Sequence, residues 1–284
     1  MRKNTFRILV TGASSGIGYS AAQALALEGH TVFAAARRLE LMEPLKAYGV
    51  TPVHLDVTSS ESITACLAAV GEVDVLVNNA GYGSLGALEC VSLEEARRQM
   101  DVNLFGLAAL CKAVLPGMRE RGFGRIINVS SIAGRAVVYF GGWYNVSKYA
   151  VEAFSDALRM EMKPFGVDVV LIEPGGIKTS WGPIAADHLS ESCAGTPYAD
   201  DALREASVLR LAYSSSLFPG PAAVTRAILP AVQAKRPRAR YLLGFGSRSL
   251  VFWHSVLPAR WWDALARMLA SPRVARFAHR HLAK

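Results

Sequence analysis

The first 180 residues alternate strictly between strand-like and helix-like segments, and this alternation most constrains the fold. Residues 73–77 form a wholly apolar run followed by two asparagines, as expected of a strand that is buried on both faces. Residues 17–28 show helical periodicity and end at Gly29. Elements that alternate in this way require a parallel sheet with helices on both faces and right-handed crossovers. The sequence therefore predicts an α/β, doubly wound (Rossmann) fold.

About seven strands are predicted, flanked by helices on both faces and followed by a C-terminal helical extension. The predicted strands are residues 6–10, 31–36, 51–55, 73–77, 125–129, 167–172 and 241–243. The predicted helices are residues 17–28, 39–48, 59–70, 92–116, 144–164 and 221–235, with further helical stretches in residues 250–282. Ser59 or Ser60 is predicted as the N-cap of the third helix, and Ser92 with Glu95 as a capping box for the fourth.

The composition argues against several classes of protein. The 284-residue chain carries four scattered cysteines without metal-ligand spacing, so neither a disulfide framework nor a metal site is predicted, and a reduced, cytoplasmic setting is expected. The short, polar N-terminal stretch does not resemble a signal peptide. No uncharged apolar run reaches the roughly 18 residues of a membrane-spanning helix.

The formal net charge of +8 is distributed unevenly. From Lys235 to Lys284 basic residues recur every few positions, against a single acid, Asp263. Such a segment can bind nucleic acid, rest on an anionic membrane surface, contact another protein, or form the solvated face of packed helices. Its Trp, Leu and Phe content favours a protein or membrane contact over nucleic acid, and the solvated face stays an open alternative.

A glycine-rich segment, residues 11–18 (Thr-Gly-Ala-Ser-Ser-Gly-Ile-Gly), follows the first predicted strand and opens the first helix. Glycines in this context let the backbone approach a pyrophosphate, and the free N–H groups at the helix start receive its negative charge. The spacing is G-x-x-x-G-x-G rather than G-x-G-x-x-G. The position of the segment nevertheless indicates a dinucleotide site over a plain structural turn.

Two arginines, Arg37 and Arg38, end the second predicted strand. A site specific for NAD(H) would place an acid there to bind the ribose hydroxyls. A guanidinium in this place can instead bind a 2′-phosphate through charge-assisted hydrogen bonds. The pair therefore favours NADP(H), with a solvated arginine pair at a strand end as the alternative.

Tyr144 and Lys148 lie four residues apart on a predicted helix, so the phenol and the ammonium share one face. A phenol with an ordinary pKa of about 10 is a poor base at neutral pH. A neighbouring ammonium, with the positive nicotinamide ring of an oxidised cofactor, would favour the phenolate and lower that pKa. Ser131, thirteen residues upstream at the end of a buried strand, could hold a substrate oxygen while the tyrosine moves the proton.

Taken together, these motifs resemble the short-chain dehydrogenase/reductase family over about residues 6–180. The resemblance implies a catalytic set of Asn103, Ser131, Tyr144 and Lys148, in which Asn103 anchors a water of a proton relay. It implies cofactor contacts from Gly12, Ser14, Ser15, Gly16, Ile17, Gly18, Arg37, Arg38, Asp56, Val57, Asn79, Ala80, Gly81, Tyr144, Lys148, Pro174, Gly175, Ile177 and Thr179. Residues 1–235 are then the dinucleotide-binding and catalytic domain, with 180–220 covering the substrate, and residues 236–284 add an edge strand and the basic, aromatic-rich extension.

More narrowly, the chain is similar to the branch that contains 17β-hydroxysteroid and retinol dehydrogenases. Aromatic and apolar candidates for the substrate site are Tyr82, Val137, Tyr139, Phe140, Trp143, Trp181 and Tyr213. Of these Tyr139, Trp143 and Trp181, with Ser131 and Tyr144, are predicted as substrate contacts. The set favours a bulky hydrophobic alcohol, ketone or aldehyde of steroid, retinoid or long-chain type.

The sequence leaves more than one option open for the oligomeric state and for the function. Family resemblance implies a homodimer through the long helices 93–115 and 144–165, with a tetramer as a further option. The leading function is NADP(H)-dependent hydride transfer between an alcohol and a carbonyl, with Tyr144 as the general acid/base. The alternatives are a non-catalytic NADP(H)-binding regulator of the same fold and a membrane-surface binder acting through the basic extension.

Overall fold

A computed structural model describes residues 5–282 and confirms the predicted fold class. The strands are β1 Arg7–Thr11, β2 Thr31–Ala36, β3 Thr51–His54, β4 Val75–Asn78, β5 Gly124–Val129, β6 Val167–Pro174 and β7 Arg240–Leu243. They form one parallel sheet in the order β3-β2-β1-β4-β5-β6-β7. The predicted edge position of β7 is confirmed, because it pairs with β6 alone in this sheet.

The helices flank this sheet and extend beyond it. They are α1 Gly16–Leu27, α2 Ser60–Val70, α3 Leu93–Met100, α4 Leu107–Glu120, α5 Gly142–Met162, α6 Trp181–Ser192, α7 Ala199–Ser214, α8 Ala222–Gln233, α9 Ser247–Val256, α10 Ala259–Leu269 and α11 Pro272–Leu282. The Ser59 hydroxyl caps α2 by accepting from the Ser62 N–H, as predicted. The Ser92 hydroxyl caps α3 by accepting from the Glu95 N–H, which is the first half of the predicted capping box.

Both faces of the sheet are buried, as the apolar strands predict. Ile8 and Val10 of β1 face α1 and α8, whereas Leu9 between them faces α2, α4 and α5. The same alternation recurs at Ile126 and Ile127 of β5. Successive side chains of a strand point to opposite faces, so these residues divide between two separate cores.

One predicted helix is wrong. Residues 39–48 form two short 3₁₀ helices, Leu39–Leu41 and Glu43–Tyr48, instead of one α-helix. Pro44 lacks the N–H that a continuous α-helix would donate to the carbonyl of Glu40, and its ring clashes with the preceding turn. Gly49, in the left-handed conformation, ends the second piece.

The long predicted helix 92–116 is longer and less regular than expected. It consists of α3, the π-helical turn Asp101–Gly106 and α4, which continues past Pro116 to Glu120. Among the described residues, Leu93–Glu120 is the one helical stretch long and apolar enough to cross a membrane. Core helices of soluble proteins share this length and composition, and α4 places Leu110 and Met118 in the core against the sheet.

The stretch predicted to cover the substrate contains α6 and α7. These two helices pack on each other and on the loops that follow β4 and β5, through Leu85, Phe140, Ala185, Leu189 and Ala206. They lie over the carboxyl ends of the central strands. The site is therefore bounded by the sheet below and by α6 and α7 above.

Candidate active site

A cavity of about 1020 Å³ opens at the carboxyl ends of the parallel strands. The loops after β1 to β6 contribute to its wall, together with α6, α7 and α10. In an open α/β sheet, ligands bind at this edge, where the strand order reverses. Here the reversal lies between β1 and β4, and the loops after both strands line the cavity.

Most of the residues predicted for the site lie in this wall. They are Gly12, Ser14, Ser15, Gly16, Ile17, Arg37, Arg38, Asp56, Val57, Asn79, Ala80, Gly81, Ser131, Tyr139, Tyr144, Lys148, Pro174, Gly175, Ile177, Thr179 and Trp181. Tyr82, Val137 and Tyr213 of the wider aromatic and apolar set also line it, and Phe140 does not. Three further predicted residues, Gly18, Asn103 and Trp143, lie outside the lining.

The structure does not place Trp143 at the substrate site. Tyr144 faces the cavity, and neighbouring side chains of an α-helix point about 100° apart, so Trp143 points elsewhere. Its indole N–H is buried without a hydrogen-bond partner among the described residues. The aromatic character of Trp143 therefore reflects packing of α5 rather than contact with a ligand in this cavity.

Asn103 lies behind the cavity wall in the π-helical turn and is buried. Its amide nitrogen donates to the Tyr82 carbonyl at 2.9 Å and to the Ser147 hydroxyl at 3.0 Å. Its amide oxygen accepts from the Tyr82 N–H at 3.0 Å. The side chain thus positions the segment after β4 against α5, and the water-anchoring role implied by the family resemblance stays a prediction.

The glycine-rich loop is held in place by residues of β1 and β4. The Thr11 hydroxyl accepts from the N–H groups of Asn79 and Ala80, each at 3.0 Å. The Asn79 amide nitrogen donates to the carbonyls of Thr11 at 3.0 Å and Gly12 at 3.2 Å. Gly12 has a φ of +65°, and a Cβ there would lie 2.8 Å from the Ala80 Cα. A side chain at Gly12 would therefore push this loop off the end of β4.

Gly18 allows helix α1 to pack closely against the glycine-rich loop. A Cβ on Gly18 would lie 2.6 Å from the Gly12 carbonyl oxygen and 2.5 Å from the Asn79 amide nitrogen. Gly18 therefore lets the first turn of α1 lie directly on the loop. Its part in the site is to shape the loop from behind rather than to face the cavity.

One end of the cavity presents an anion-binding arrangement. Arg37 and Arg38 follow β2, and the Arg38 guanidinium lies 3.4 Å from the Ser14 hydroxyl of the glycine-rich loop. The Ser15 side chain does not cap α1, so the first amide groups of that helix are not occupied by it. Two guanidinium groups and an uncapped helix start together suit a phosphorylated ribose and its pyrophosphate.

Asp56 lies at the same end of the cavity, after β3. One carboxylate oxygen accepts from the hydroxyl of Thr58 at 2.7 Å and from its N–H at 2.9 Å. These hydrogen bonds lower the pKa of the Asp56 carboxyl. Asp56 is therefore ionised at neutral pH and is held in a fixed orientation beside the arginine pair.

At the opposite end, Ser131, Tyr144 and Lys148 come together between β5 and α5. The Ser131 hydroxyl accepts from the Ala133 N–H at 3.1 Å and donates to the Pro174 carbonyl at 3.4 Å. The Lys148 ammonium donates to the Val129 carbonyl at 3.0 Å and lies 5.9 Å from the centre of the Tyr144 ring. The structure therefore gathers the predicted serine, tyrosine and lysine at one place in the cavity wall.

Burial has the largest effect on the pKa values of Tyr144 and Lys148. Burial raises the pKa of Tyr144 to about 12, although a hydrogen bond with Ser131 opposes the shift. Burial also lowers the pKa of Lys148 to about 8. The predicted lowering of the tyrosine pKa combines Lys148 with the charge of an oxidised nicotinamide, so it stays a prediction for the cofactor-bound site, and here the Lys148 ammonium is directed at the Val129 carbonyl. Tyr144 therefore carries its proton at neutral pH, which suits a proton donor.

A buried acidic pair behind Lys148 was not predicted from the sequence. Glu152 lies one helical turn after Lys148, and Glu173 ends the apolar part of β6, directly before Pro174. The Arg240 guanidinium from β7 forms ion pairs with both, at 2.7 Å to Glu173. Burial, and then the neighbouring Glu173, raise the pKa of Glu152 to about 7, against the opposing effect of Arg240. The edge strand thus supplies the positive charge that holds two buried carboxyl groups beside the site.

Asn145 fixes the loop that carries Ser131. Its amide nitrogen donates to the carbonyls of Ala133 at 2.7 Å and Ala136 at 3.0 Å, and its oxygen accepts from the Val138 N–H at 3.3 Å. The side chain is buried, so these backbone groups have no ready replacement in water. Asn145 therefore holds the loop after β5 against the first turn of α5, the helix that carries Tyr144.

Replacing Asn145 with alanine is expected to lower the free energy of unfolding by roughly 2–4 kcal/mol, because buried carbonyl groups lose their donors. Chemical denaturation followed by circular dichroism measures this loss. Glu40→Ala, at an exposed position away from this loop, is the control and should cost far less. Equal losses in the two variants would show that the Asn145 hydrogen bonds do not hold the loop.

The other side of the cavity is aromatic and apolar. Trp181 of α6 lies against Tyr144 with 5.2 Å between ring centres, and Tyr213 of α7 lies 5.9 Å from Trp181. Trp262 and Leu269 of α10 complete this side, and neither was predicted for the site. Sequence spacing could not reveal them, because they lie more than 100 residues beyond Tyr144. Their apolar surface favours a hydrophobic ligand next to the tyrosine hydroxyl.

The match with known proteins covers the strands and loops that build this site. Residues 7–187 match the family described as short chain dehydrogenase. The chain therefore belongs to the short-chain dehydrogenase/reductase family, and it is an oxidoreductase.

Among individual proteins, the chain is 39% identical to the 3-ketodihydrosphingosine reductase of Bacteroides thetaiotaomicron, over 84% of this chain and 87% of that one. It is 37% identical to human retinol dehydrogenase 8, over 82% of this chain and 79% of that one. The crystal structure of a single-substitution variant of actinorhodin polyketide ketoreductase with NADPH superimposes with a TM-score of 0.69 at 31% identity, covering 84% of this chain and 94% of that one.

Proposed function

We propose that this chain is an NADP(H)-dependent oxidoreductase that interconverts a bulky hydrophobic alcohol and its ketone or aldehyde, with Tyr144 as the general acid/base. The observation that carries the proposal is the buried Tyr144 beside Ser131 and Lys148, at the meeting point of a polar and an apolar half of one cavity. The polar half fits a dinucleotide. The apolar half fits a substrate whose reacting oxygen reaches the tyrosine.

The cofactor preference rests on the residues after β2. Arg37 and Arg38 place two positive charges beside the loop that follows β1, where a 2′-phosphate would lie. The related ketoreductase structure, in its own case, contains NADPH. A bound nicotinamide would supply the hydride that is exchanged with the substrate carbon.

The residues of the chain supply the proton and the orientation. Ser131 holds the substrate oxygen through its hydroxyl, and Tyr144 donates its phenolic proton to that oxygen in the direction of reduction. Lys148, with Nζ fixed by the Val129 carbonyl, places a positive charge near the phenol and stabilises the phenolate that remains. Trp181 covers the Tyr144 ring and keeps water from it.

We propose a hydrophobic substrate because the half of the cavity that faces Tyr144 is lined by aromatic and apolar side chains. Trp181, Tyr213 and Leu269 line it, and they come from three separate helices. Two relatives carry names that specify 3-ketodihydrosphingosine and retinol, and both of these molecules are long and mostly apolar. The experiment is to follow nicotinamide absorbance with purified protein, NADPH or NADH, and a panel of long-chain, steroid and retinoid ketones and aldehydes. Consumption that prefers NADPH is the expected result, and failure to bind either cofactor would overturn the proposal.

The arginine pair gives a sharper test of the cofactor preference. In the double variant Arg37→Ala/Arg38→Ala, the KM for NADPH is expected to rise roughly 10–100-fold, because one or two charged hydrogen bonds to the 2′-phosphate are lost. The KM for NADH should change by no more than about 3-fold, since NADH has no such phosphate. Arg226→Ala, an exposed arginine on α8, is the control. A parallel rise for both cofactors would contradict selection by this pair.

We also propose a homodimer through α4 and α5. Val146, Tyr149 and Met160 expose apolar surface along α5, and Phe105 does so in the turn before α4. A two-fold related copy could bury that surface in an isologous contact. Sedimentation velocity tests this directly, and a monomer at micromolar concentration would contradict it.

A further inference from the structure

The C-terminal helices α9, α10 and α11 form a separate layer beside the mouth of the cavity. The indole N–H of Trp262 on α10 donates to the Val137 carbonyl at 3.1 Å, and its ring packs edge-on against His254 of α9. Helix α11 packs on α7, and His279 lies 3.1 Å from the Ser207 hydroxyl. These contacts fix the layer to the rest of the protein. Its outer surface is what remains to be explained.

Helix α10 is apolar on two sides. Trp262 is 7% exposed and lines the cavity, whereas its neighbour Trp261 is 69% exposed. Ala264 and Met268 follow Trp261 at helical spacing and are also exposed. A helix that only closed the cavity would need an apolar inner face and a polar outer one. The outer apolar face of α10 therefore requires a second apolar environment.

Helix α9, which packs on α10 through His254 and Trp262, carries exposed apolar residues of its own. Phe252, Trp253 and Val256 lie at spacings of one and four residues, and about half or more of each side chain is exposed. Phe245, just before α9, is exposed as well. Large exposed apolar residues concentrated in two helices that pack on each other indicate an interaction site rather than ordinary exposure. We call the set Phe245, Phe252, Trp253, Val256, Trp261 and Met268 the outer apolar face.

The same three helices carry an excess of positive charge. The three helices carry six arginines and one acidic residue, Asp263. All six arginines, at positions 248, 260, 267, 273, 276 and 280, are exposed. Tryptophan beside arginine on exposed helices is the composition of segments that lie in the interface of an anionic bilayer.

We propose that the outer apolar face rests on an anionic membrane surface, with its tryptophans at the headgroup level and its arginines on the phosphates. A second copy of the chain is a poorer occupant, because a two-fold contact would oppose six arginines to six arginines. Nucleic acid is poorer too, because the face offers broad aliphatic and aromatic surface between its charges.

A membrane contact at the outer apolar face would bring the cavity rim close to the bilayer. This step rests on the proposed function. Val137, Tyr139, Ile184 and Leu269 line the cavity and are also substantially exposed, so they form its rim. Leu269 directly follows Met268 of the outer apolar face on α10. A hydrophobic substrate could therefore pass from the bilayer to the cavity along an apolar path without crossing water. The membrane contact itself does not depend on which reaction the cavity catalyses.

The test measures binding of the full chain to large unilamellar vesicles of equal parts phosphatidylglycerol and phosphatidylcholine, by co-sedimentation and tryptophan fluorescence. Binding with a blue-shifted emission is expected, together with weaker binding to phosphatidylcholine alone and in high salt. Trp253→Ser/Trp261→Ser should weaken vesicle binding about 10-fold or more. Leu27→Ser/Leu41→Ser is the matched control: it removes exposed apolar side chains at a distant place, with Leu27 as exposed as Trp261 at 69%.

Several results would overturn the proposal. One is the absence of binding to the anionic vesicles by the wild-type chain, and another is equal binding by the tryptophan double variant and the leucine control. A third is a drop in oligomeric size in the tryptophan variant without any vesicle binding, which would assign the face to another copy of the chain. None of these readouts uses turnover, so an inactive enzyme that still binds vesicles would count only against the proposed function.

Discussion

Replacing Tyr144 with phenylalanine is expected to lower turnover with the best carbonyl substrate about 10²–10⁴-fold, the usual contribution of a positioned general acid. The ring remains, so its contact with Trp181 and its packing in the cavity wall are kept. Only the hydroxyl that carries the transferable proton is removed. Binding of NADPH, measured by fluorescence titration, should change little, because the dinucleotide depends mainly on the loops after β1, β2 and β3.

Tyr48→Phe is the control for this experiment. Tyr48 ends the second 3₁₀ helix, is exposed, and lies outside both the cavity lining and the proposed dimer surface. Its loss of a hydroxyl should leave turnover within about 2-fold of the wild type. Equal activities of the two variants would contradict proton transfer by Tyr144. Tight NADPH binding without turnover in the wild type would instead favour the regulator hypothesis, or a substrate missing from the panel.

The fold could be predicted because its determinants are local. The apolar strand 73–77 and the helical periodicity of 17–28 each indicate their element without reference to the rest of the chain. The glycine-rich loop, Tyr144 and Lys148 are also short motifs whose spacing is meaningful by itself. Pro44 shows the limit of this approach, because it breaks a periodic stretch into two 3₁₀ pieces. The pattern of apolar residues predicts burial but not which helical hydrogen bonds can form.

The parts that could not be predicted depend on contacts between distant residues. Trp262 reaches the Val137 carbonyl across 125 positions of sequence. The pKa of Tyr144 depends on burial beneath α6, whereas sequence spacing showed only its neighbour Lys148. Trp143 was predicted at the site as one of a set of aromatic and apolar residues, but the helix turns its side chain away. In each case the chemistry is set by the side-chain environment, which spacing does not contain.

The most informative of these distant contacts is the one that Arg240 makes with Glu152 and Glu173. Glu173 is 1% exposed and Glu152 is almost as deeply buried, so their charges are costly without a partner. Arg240 is the central cation: it also pairs with Asp156, while Arg135 contacts Glu173 at 3.3 Å. This cluster joins α5, β6 and β7 directly behind Lys148 and Pro174.

Replacing Arg240 with methionine is therefore expected to lower the free energy of unfolding at pH 8 by about 3–5 kcal/mol, the usual cost of leaving a buried charge unpaired. Methionine keeps most of the aliphatic volume, so the loss reports the charge rather than a cavity. Arg240→Lys keeps a cation but not the planar fork, and an intermediate loss is expected. Arg238→Met, two residues earlier and exposed, is the control and should stay within about 0.5 kcal/mol of the wild type.

The pH dependence identifies the cause of that loss. Burial already raises the pKa of Glu152 to about 7 in the wild type, and loss of Arg240 should raise it further. A carboxyl whose pKa is raised on folding holds its proton more tightly in the folded state than in the unfolded state. Its favourable contribution is therefore complete below its unfolded pKa and is lost as pH rises through its folded pKa. The deficit of Arg240→Met should be small near pH 5 and grow steadily towards pH 8, in urea denaturation at each pH. A deficit that does not change with pH would mean that Arg240 acts by packing, and that the buried carboxyl groups behind Lys148 do not depend on its charge.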